Sequence, residues 1–178
     1  MMGLLKNDKV KLRALEPDDL DLLFSVENSS DLWEISNTIT PFSRDLLKKY
    51  IDNAHQDIFE AKQLRLVVTN VKNSMTVGLI DLFDYDPKNQ RAGIGILILN
   101  QYRHKGFASS ALEQFLEYAF KHLDLHQLFA NIPANNQNSL ELFKKLNFNH
   151  IGTQKDWIKI KGEFKDVERF QIINPNHL

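Results

Sequence analysis

The residues Ile94-Gly95-Ile96-Leu97-Ile98-Leu99-Asn100-Gln101-Tyr102-Arg103-His104-Lys105-Gly106-Phe107-Ala108 decide how the chain is read. An apolar run with aliphatic side chains at both parities reads as a central strand, covered on both faces. It passes through a short basic turn into the strongest helix of the chain, expected over residues 107–122. There Ala108, Ala111, Leu112, Phe115, Leu116, Ala119 and Phe120 recur at i, i+3, i+4 spacing. The first N–H groups of such a helix have no intrahelical acceptor and lie at its positive end, so the turn suits an anion. Gly106 lacks the Cβ that would hold a phosphate off, and Arg103, His104 and Lys105 bring donors and charge beside it. By geometry alone, a relaxed strand-to-helix turn flanked by solvated basic residues fits equally well. The stretch has neither GxxxxGK[ST] nor GxGxxG, which excludes a nucleoside-triphosphate loop and a dinucleotide fingerprint.

Outward from this centre, strands and helices alternate. Residues 10–13 read as an opening strand, followed by a helix led by Pro17, Asp18 and Asp19 and carrying Leu20, Leu23, Phe24 and Glu27. A loop through Trp33, Pro41 and Phe42 leads to Ser43, an N-cap for a helix bearing Leu46, Leu47, Tyr50, Ile51 and Ala54. Residues 64–69 and 76–83 form a hairpin, 84–90 a loop, and 92–99 the central strand. Beyond the long helix, residues 126–132 read as a strand, and Asn138 with Glu141 as a capping box for a short helix through Leu146. Residues 149–153, 157–160 and 167–173 read as antiparallel strands, and the tail from Asn174 as frayed. The sum is a mixed α/β domain with one sheet and helices on its faces.

Composition narrows the chemistry. A chain of 178 residues, 43% hydrophobic and 25% charged, has a core large enough to need no disulfide or structural metal. With no cysteine it has no thiol nucleophile, no CxxC redox centre and no thiolate zinc site. A net charge of -1, from 22 basic and 23 acidic side chains, argues against a broad grip on nucleic acid. The longest apolar run falls short of the ~20 residues that cross a bilayer, and the N-terminal residues lack a signal-peptide pattern. A cytoplasmic protein with no metal, no nucleic-acid partner and no membrane partner is expected.

At this point a family resemblance emerges. Arg103-His104-Lys105-Gly106-Phe107-Ala108 fits the (Q/R)-x-x-G-x-(G/A) signature of the GNAT superfamily of acetyl-CoA-dependent N-acetyltransferases. Asn136 to Phe148 resembles the superfamily's N-x-x-(A/S)-x-x-x-(Y/F)-x-K-x-G-F segment, and Lys11 to Leu20 and Arg91 to Gly95 are similar to its opening strand and helix and its fourth strand. The resemblance covers residues 9–173, a single N-acetyltransferase domain, and is nearest the branch with ribosomal-protein-alanine and spermidine acetyltransferases. It implies a GNAT-like (acyl-CoA N-acyltransferase) fold: a single mixed, mostly antiparallel sheet flanked by helices, with splayed parallel central strands.

What the resemblance implies for the site is specific. The turn matching Arg103, His104, Lys105, Gly106, Phe107, Ala108 and Ser109 holds the pyrophosphate of coenzyme A. The backbone of Ile96, Leu97 and Ile98 pairs with the pantetheine arm, and Asn136, Ser139 and Phe143 close the other side. An amine then attacks the acetyl carbonyl directly after losing a proton, with a backbone N–H of the central strand stabilising the oxyanion. Acidic residues near the amine draw it in. Asp81 and Asp84 are the candidates and Asp84 the favoured one, with an Asp that merely starts a loop as the other reading. Trp33 and Glu34 either wall the amine pocket or belong to a partly buried aromatic lid.

Two departures stand out. Phe143 occupies the position where many members carry a tyrosine that protonates the departing thiolate, and phenylalanine has no proton to give. Gly93 stands where the polyamine branch often has glutamate. The expected function is acetyl transfer from acetyl-CoA to a primary amine, either a polyamine-like small molecule or a protein N-terminus. A non-catalytic acyl-CoA-binding module is the alternative, and a homodimer is compatible with either.

Overall fold

The structure, a computed structural model, describes every residue except Met1, Met2, Asn37, His55 and Leu178, with the side chains of Glu34 and Ile35 also excepted. Alternation of apolar and polar residues builds seven strands: β1 (Val10–Arg13), β2 (Leu64–Asn70), β3 (Thr76–Asp86), β4 (Arg91–Ile98), β5 (Gln127–Pro133), β6 (Asn149–Ile160) and β7 (Glu163–Ile173). They form one sheet in the order β1-β2-β3-β4-β5-β7-β6. Every neighbouring pair is antiparallel except β4 and β5.

Helices cover both faces. The long helix α5 (Phe107–Lys121) lays Ala111, Leu112, Phe115 and Ala119, all fully buried, against Leu12, Val68, Ile80, Leu82 and Ile94. On the opposite face α1 (Leu20–Glu27) and α3 (Arg44–Asp52) bring Leu23, Leu47 and Ile51 onto Val67 and Leu79. Strand β3 shows how the period of two divides these layers: Ile80 and Leu82 face α5, while Leu79 and Asp81 face the other way.

The parallel pair β4–β5 is the irregular part of the sheet. It holds only at Arg91↔Gln127, Ala92↔Leu128 and Gly93↔Phe129. Farther along, β3 still pairs with β4 up to Gly78↔Ile98, and β7 with β5 up to Pro133↔Val167. The two central strands therefore fork, and beyond Gly93 no strand among the described residues lies beside the facing edge of β4. As expected, β4 is the middle strand. Ile96 and Leu97 are only half-buried, because the fork opens beside them.

Several local expectations are corrected. Trp33 lies in a short helix, α2 (Ser30–Ser36), and an unforeseen turn of helix, α4 (Ile58–Ala61), is capped by Asp57, which accepts from Phe59 N–H at 2.8 Å. Strand β3 runs on to Asp86 through a bulge between Phe83 and Asp86, with Asp84 left-handed at φ 50°. Asp is one of the residues that tolerates that conformation, so a loop-like composition fits inside a strand. Helix α6 (Gln137–Lys145) starts ahead of the expected capping box. Its N-cap is Asn136, whose Oδ1 accepts from Ser139 N–H at 3.2 Å. Strand β6 is continuous, with a second bulge between Gln154 and Ile158 absorbing its polar middle. The tail is anchored: Asn174 is fully buried, and its Nδ2 donates to the Leu125 carbonyl at 2.9 Å. Among the described residues, no helix is long and apolar enough to cross a membrane.

Candidate functional site

The turn from β4 to α5 is shaped by its backbone. His104 and Gly106 are both left-handed, at φ 58° and 76°. Gly106 is the N-cap residue and offers no side chain to the helix. Among the described residues, the N–H groups of His104 through Ser109 find no protein acceptor, and the first bond of the new helix is Ser110 N–H to Gly106 O. Such a run of unpaired donors at a helix N-terminus is a cradle for a polyanion. Arg103 is fixed beside it, its Nε donating to the Ile98 carbonyl at 3.1 Å.

The sequence reading missed a further cation. Asn7 is stapled to α5: its Nδ2 donates to Ser110 O, and Ser110 Oγ donates to its Oδ1, both at 3.1 Å. That staple hangs the Lys9 ammonium 5.3 Å from the centre of the Phe107 ring. A Cβ built on Gly106 would come within 2.9 Å of it. No carboxylate among the described residues pairs with Lys9. Lys105 behaves otherwise, donating to the Gln101 carbonyl at 2.8 Å away from the cradle.

From the cradle a cleft of about 540 Å³ runs along the free edge of β4 to the start of α6. Of the expected cofactor contacts, Ile96, Leu97, Ile98, Arg103, His104, Gly106, Phe107, Ala108, Ser109, Asn136 and Ser139 line it, and Lys105 and Phe143 do not. Phe143 is buried, its ring edge-on to Phe148 at 4.9 Å. Tyr102, Asn138, Glu141, Leu142, Lys145 and Leu32 of α2 complete the wall. Helical spacing from Asn138 singles out Glu141, Leu142 and Lys145, but nothing in the sequence marks Leu32.

The residues expected to meet the amine are more scattered, and Trp33, Asp81 and Asp84 do not line the cleft. Asp81 pairs with Gly95, next to the fork. Both its oxygens are engaged by Arg65, at 2.5 Å from Nε and 3.2 Å from Nη2, and the same guanidinium also holds Glu27. Burial works against the Arg65 charge, but Asp81, with Tyr50 and Glu27, outweighs it and raises the guanidinium's pKa. Asp84 is exposed at the bulge, alongside the closed end of the β4–β5 ladder. Trp33 is half-buried and donates from Nε1 to the Glu27 carbonyl at 2.6 Å, fastening α2 to the end of α1. Glu34 lies in α2, and its side chain is outside the described residues. Gly93 has a packing reason: a Cβ there would overlap the Phe83 ring, which occupies that space and meets Phe129 edge-on at 5.8 Å.

A forked central pair, with a donor-lined turn at the mouth and a cleft along the bare strand edge, is an architecture that seats an extended, phosphate-bearing ligand against backbone. Comparison with known proteins supplies the family. The model of the acetyltransferase (GNAT) domain matches residues 9–149. The chain is 26% identical over 172 residues to the spermidine N(1)-acetyltransferase of Vibrio cholerae, covering 97% of each. A crystal structure of spermidine N-acetyltransferase from that organism, in complex with CoA and spermine, superposes with a TM-score of 0.85 at 25% identity, covering 94% of this chain and 97% of the other. A dodecameric structure of the Vibrio enzyme in an intermediate state gives 0.80 at 27% identity, covering 97% and 98%. This protein belongs to the GNAT family of acetyltransferases. The expected fold and enzyme class are thereby borne out.

Proposed function

We propose that residues 9–173 act as a single domain that transfers the acetyl group of acetyl-CoA to a small primary amine. The observation that carries this reading is the run of unpaired N–H groups from His104 to Ser109, opening onto the free edge of β4. Acetyl-CoA suits the chemistry of these groups: a diphosphate satisfies the cradle, and an amide-bearing arm can continue the sheet along Ile96 to Ile98 as a strand would. When bound, it supplies an acetyl group activated as a thioester.

The chain's own residues have three tasks. Arg103, Lys9 and the cradle neutralise the phosphates, and the cleft walls at Tyr102, Leu142 and Leu32 exclude water from the arm. The β4 backbone at the fork presents N–H groups to the oxygen on which charge develops, where a preformed donor is typically worth about 2.7–4 kcal/mol. The amine arrives protonated at neutral pH and gives up its proton to an ordered water or a neighbouring base before it attacks. Asp81, held in place by Arg65 beside Gly95, draws the amine to the fork, in preference to Asp84 at the closed end. Phe143 contributes packing to α6 and no proton, so solvent protonates the leaving thiolate, which is a weak enough base to depart without a strong acid.

Copies of the chain associate in this reading, as the Vibrio relative does. Trp157 and Phe164, 62% and 61% exposed on the β6–β7 hairpin, offer the apolar surface for it. Thiol release from acetyl-CoA, followed across amines and N-terminal peptides, tests the activity. Acceptor-dependent release is expected with small amines and not with peptides. Tight coenzyme A binding with no release on any acceptor would leave only a binding module.

A further inference from the structure

Across the fork, opposite Asp81, stands Arg169, which no carboxylate among the described residues pairs with. The register sets Arg65, Asp81 and Gly95 in one row over β2, β3 and β4. Carrying the β4–β5 register two residues past Gly93↔Phe129 brings that row to Asn131, and Asn131 pairs with Arg169 of β7. These residues share the face turned away from α5, because Phe83, two residues on from Asp81, meets Phe129, and the Arg169 guanidinium lies over Phe129 at 5.6 Å. Arg169 Nε is buried and has no hydrogen-bond partner, the one such side-chain atom among the described residues. The carboxylates beside it in β7 are engaged elsewhere, Glu168 with His150 and Thr153 and Asp166 with Lys155.

Between the two sides the floor is bare. A Cβ at Gly95 would touch nothing nearer than Phe83 Cε1 at 3.9 Å. The row is thus a shelf with two poles. At one end Glu27 and Asp81 share a single guanidinium and keep a net negative charge; at the other, Arg169 keeps an unmet positive one. Buried polar groups left unpaired in native proteins are expected to have a reason, and a guanidinium at a substrate site is best met by a planar carboxylate.

We propose that Arg169 binds a carboxylate on the acceptor, so that the substrate class is amines that also carry a carboxylate rather than polyamines. The amine lies over Gly95 on the Asp81 side and the carboxylate reaches Arg169. Asp81 and Arg169 belong to strands three places apart in the sheet, two of the steps being paired-strand spacings of about 4.8 Å and the middle one widened by the fork, so amine and carboxylate stand several bonds from each other. A polyamine extended along the same shelf would run its second ammonium into Arg169. The inference rests on the acetyltransferase reading above and specifies its acceptor.

The test uses the whole protein and a ladder of ω-amino acids from glycine to 6-aminohexanoate, each paired with the alkylamine of equal carbon number. Thiol release should favour the best amino acid over its alkylamine by at least about tenfold in kcat/KM. Arg169→Gln should erase that preference through KM, leaving the alkylamine and coenzyme A affinity within about twofold. Calorimetry of 6-aminohexanoate with the CoA-loaded protein should show binding that Arg169→Gln removes. Equal use of each pair, loss of both alike in the variant, or a preference for spermidine would overturn the inference. If no amine releases thiol, the transferase reading fails. Calorimetry then decides this one separately, and absent or Arg169-independent binding overturns it. Should Arg169→Gln not fold, Arg169→Lys replaces it; it keeps the charge, loses the fork, and is expected to weaken the amino acid selectively.

Discussion

The cradle end and the fork end of the site are built by different means. At the cradle, contiguous residues Arg103 to Ser109 present main-chain donors, and the side chains matter mainly by staying out of the way, as Gly106 does. At the fork, Arg65 and Asp81 meet, and Gly95, Asn131 and Arg169 fall into the same row, only because the register of β2, β3, β4, β5 and β7 aligns them. Main-chain recognition is insensitive to sequence and suits a ligand that never changes. Side-chain recognition is adjustable one residue at a time, which suits an acceptor that differs between relatives.

The sharpest way to break this contrast is Gly106→Glu. It fills the cradle with a side chain and a negative charge and should weaken coenzyme A by at least about 100-fold, or 2.7 kcal/mol, in calorimetry. The left-handed backbone adds only about 1–2 kcal/mol of strain, so cooperative melting should persist. An unchanged Kd would show that phosphates bind elsewhere.

The two glycines of the fork sharpen the other half. Gly93→Ala collides with Phe83 and should destabilise the fold by about 1–3 kcal/mol in denaturant melts. Gly95→Ala meets open space and should melt like the parent while raising the acceptor KM about tenfold, if the shelf holds the acceptor. Equal melting of the two variants would contradict the packing described for Phe83.

Lys9→Met is milder, because an exposed charge is partly screened. We expect coenzyme A to weaken about fivefold at low salt, with the gap to the parent closing as salt rises, and the acceptor KM unmoved. A loss that ignored salt would point to the Asn7–Ser110 staple instead.

Smallest is an acid effect outside both ends. Burial opposes the Asp19 charge, yet hydrogen bonds from Arg13 and Glu16 N–H hold its carboxyl below the ordinary range. A lowered pKa in the folded state stabilises above the ordinary carboxylate pKa and is lost as pH falls through the folded value. Between about pH 5 and pH 2 the parent should therefore lose Tm faster than Asp19→Asn, with no difference in coenzyme A affinity near neutrality. Parallel pH profiles would remove Asp19 from the stability balance.

How much of this was legible in the sequence follows the same division. Arg103 to Ala108 announces the cradle because helix start, glycine and basic residues are adjacent in the chain. The strands and α5 were legible from apolar periodicity. Nothing local to Asp81 or Arg169 tells that they flank one gap, since that depends on registers summed over three strand pairs. Lys9 was hidden for a similar reason: the long-range Asn7–Ser110 staple helps bring it over Gly106. The misplaced features, at Asp84 and in the middle of β6, are bulges where polar residues and left-handed backbone imitate a loop inside a paired strand. Asn174 looked like tail because its polarity gives no hint that it plugs the carbonyl of Leu125.

The short β4–β5 ladder has a mechanical consequence. β1–β4 and β5–β7 are two half-sheets joined side by side through a ladder that ends at Gly93, so an extended ligand lodged in the fork completes the splice between them. Amide hydrogens of Ile96 and Ile98 should then exchange more slowly in the presence of coenzyme A, and the halves should unfold as one block where, ligand-free, they loosen separately.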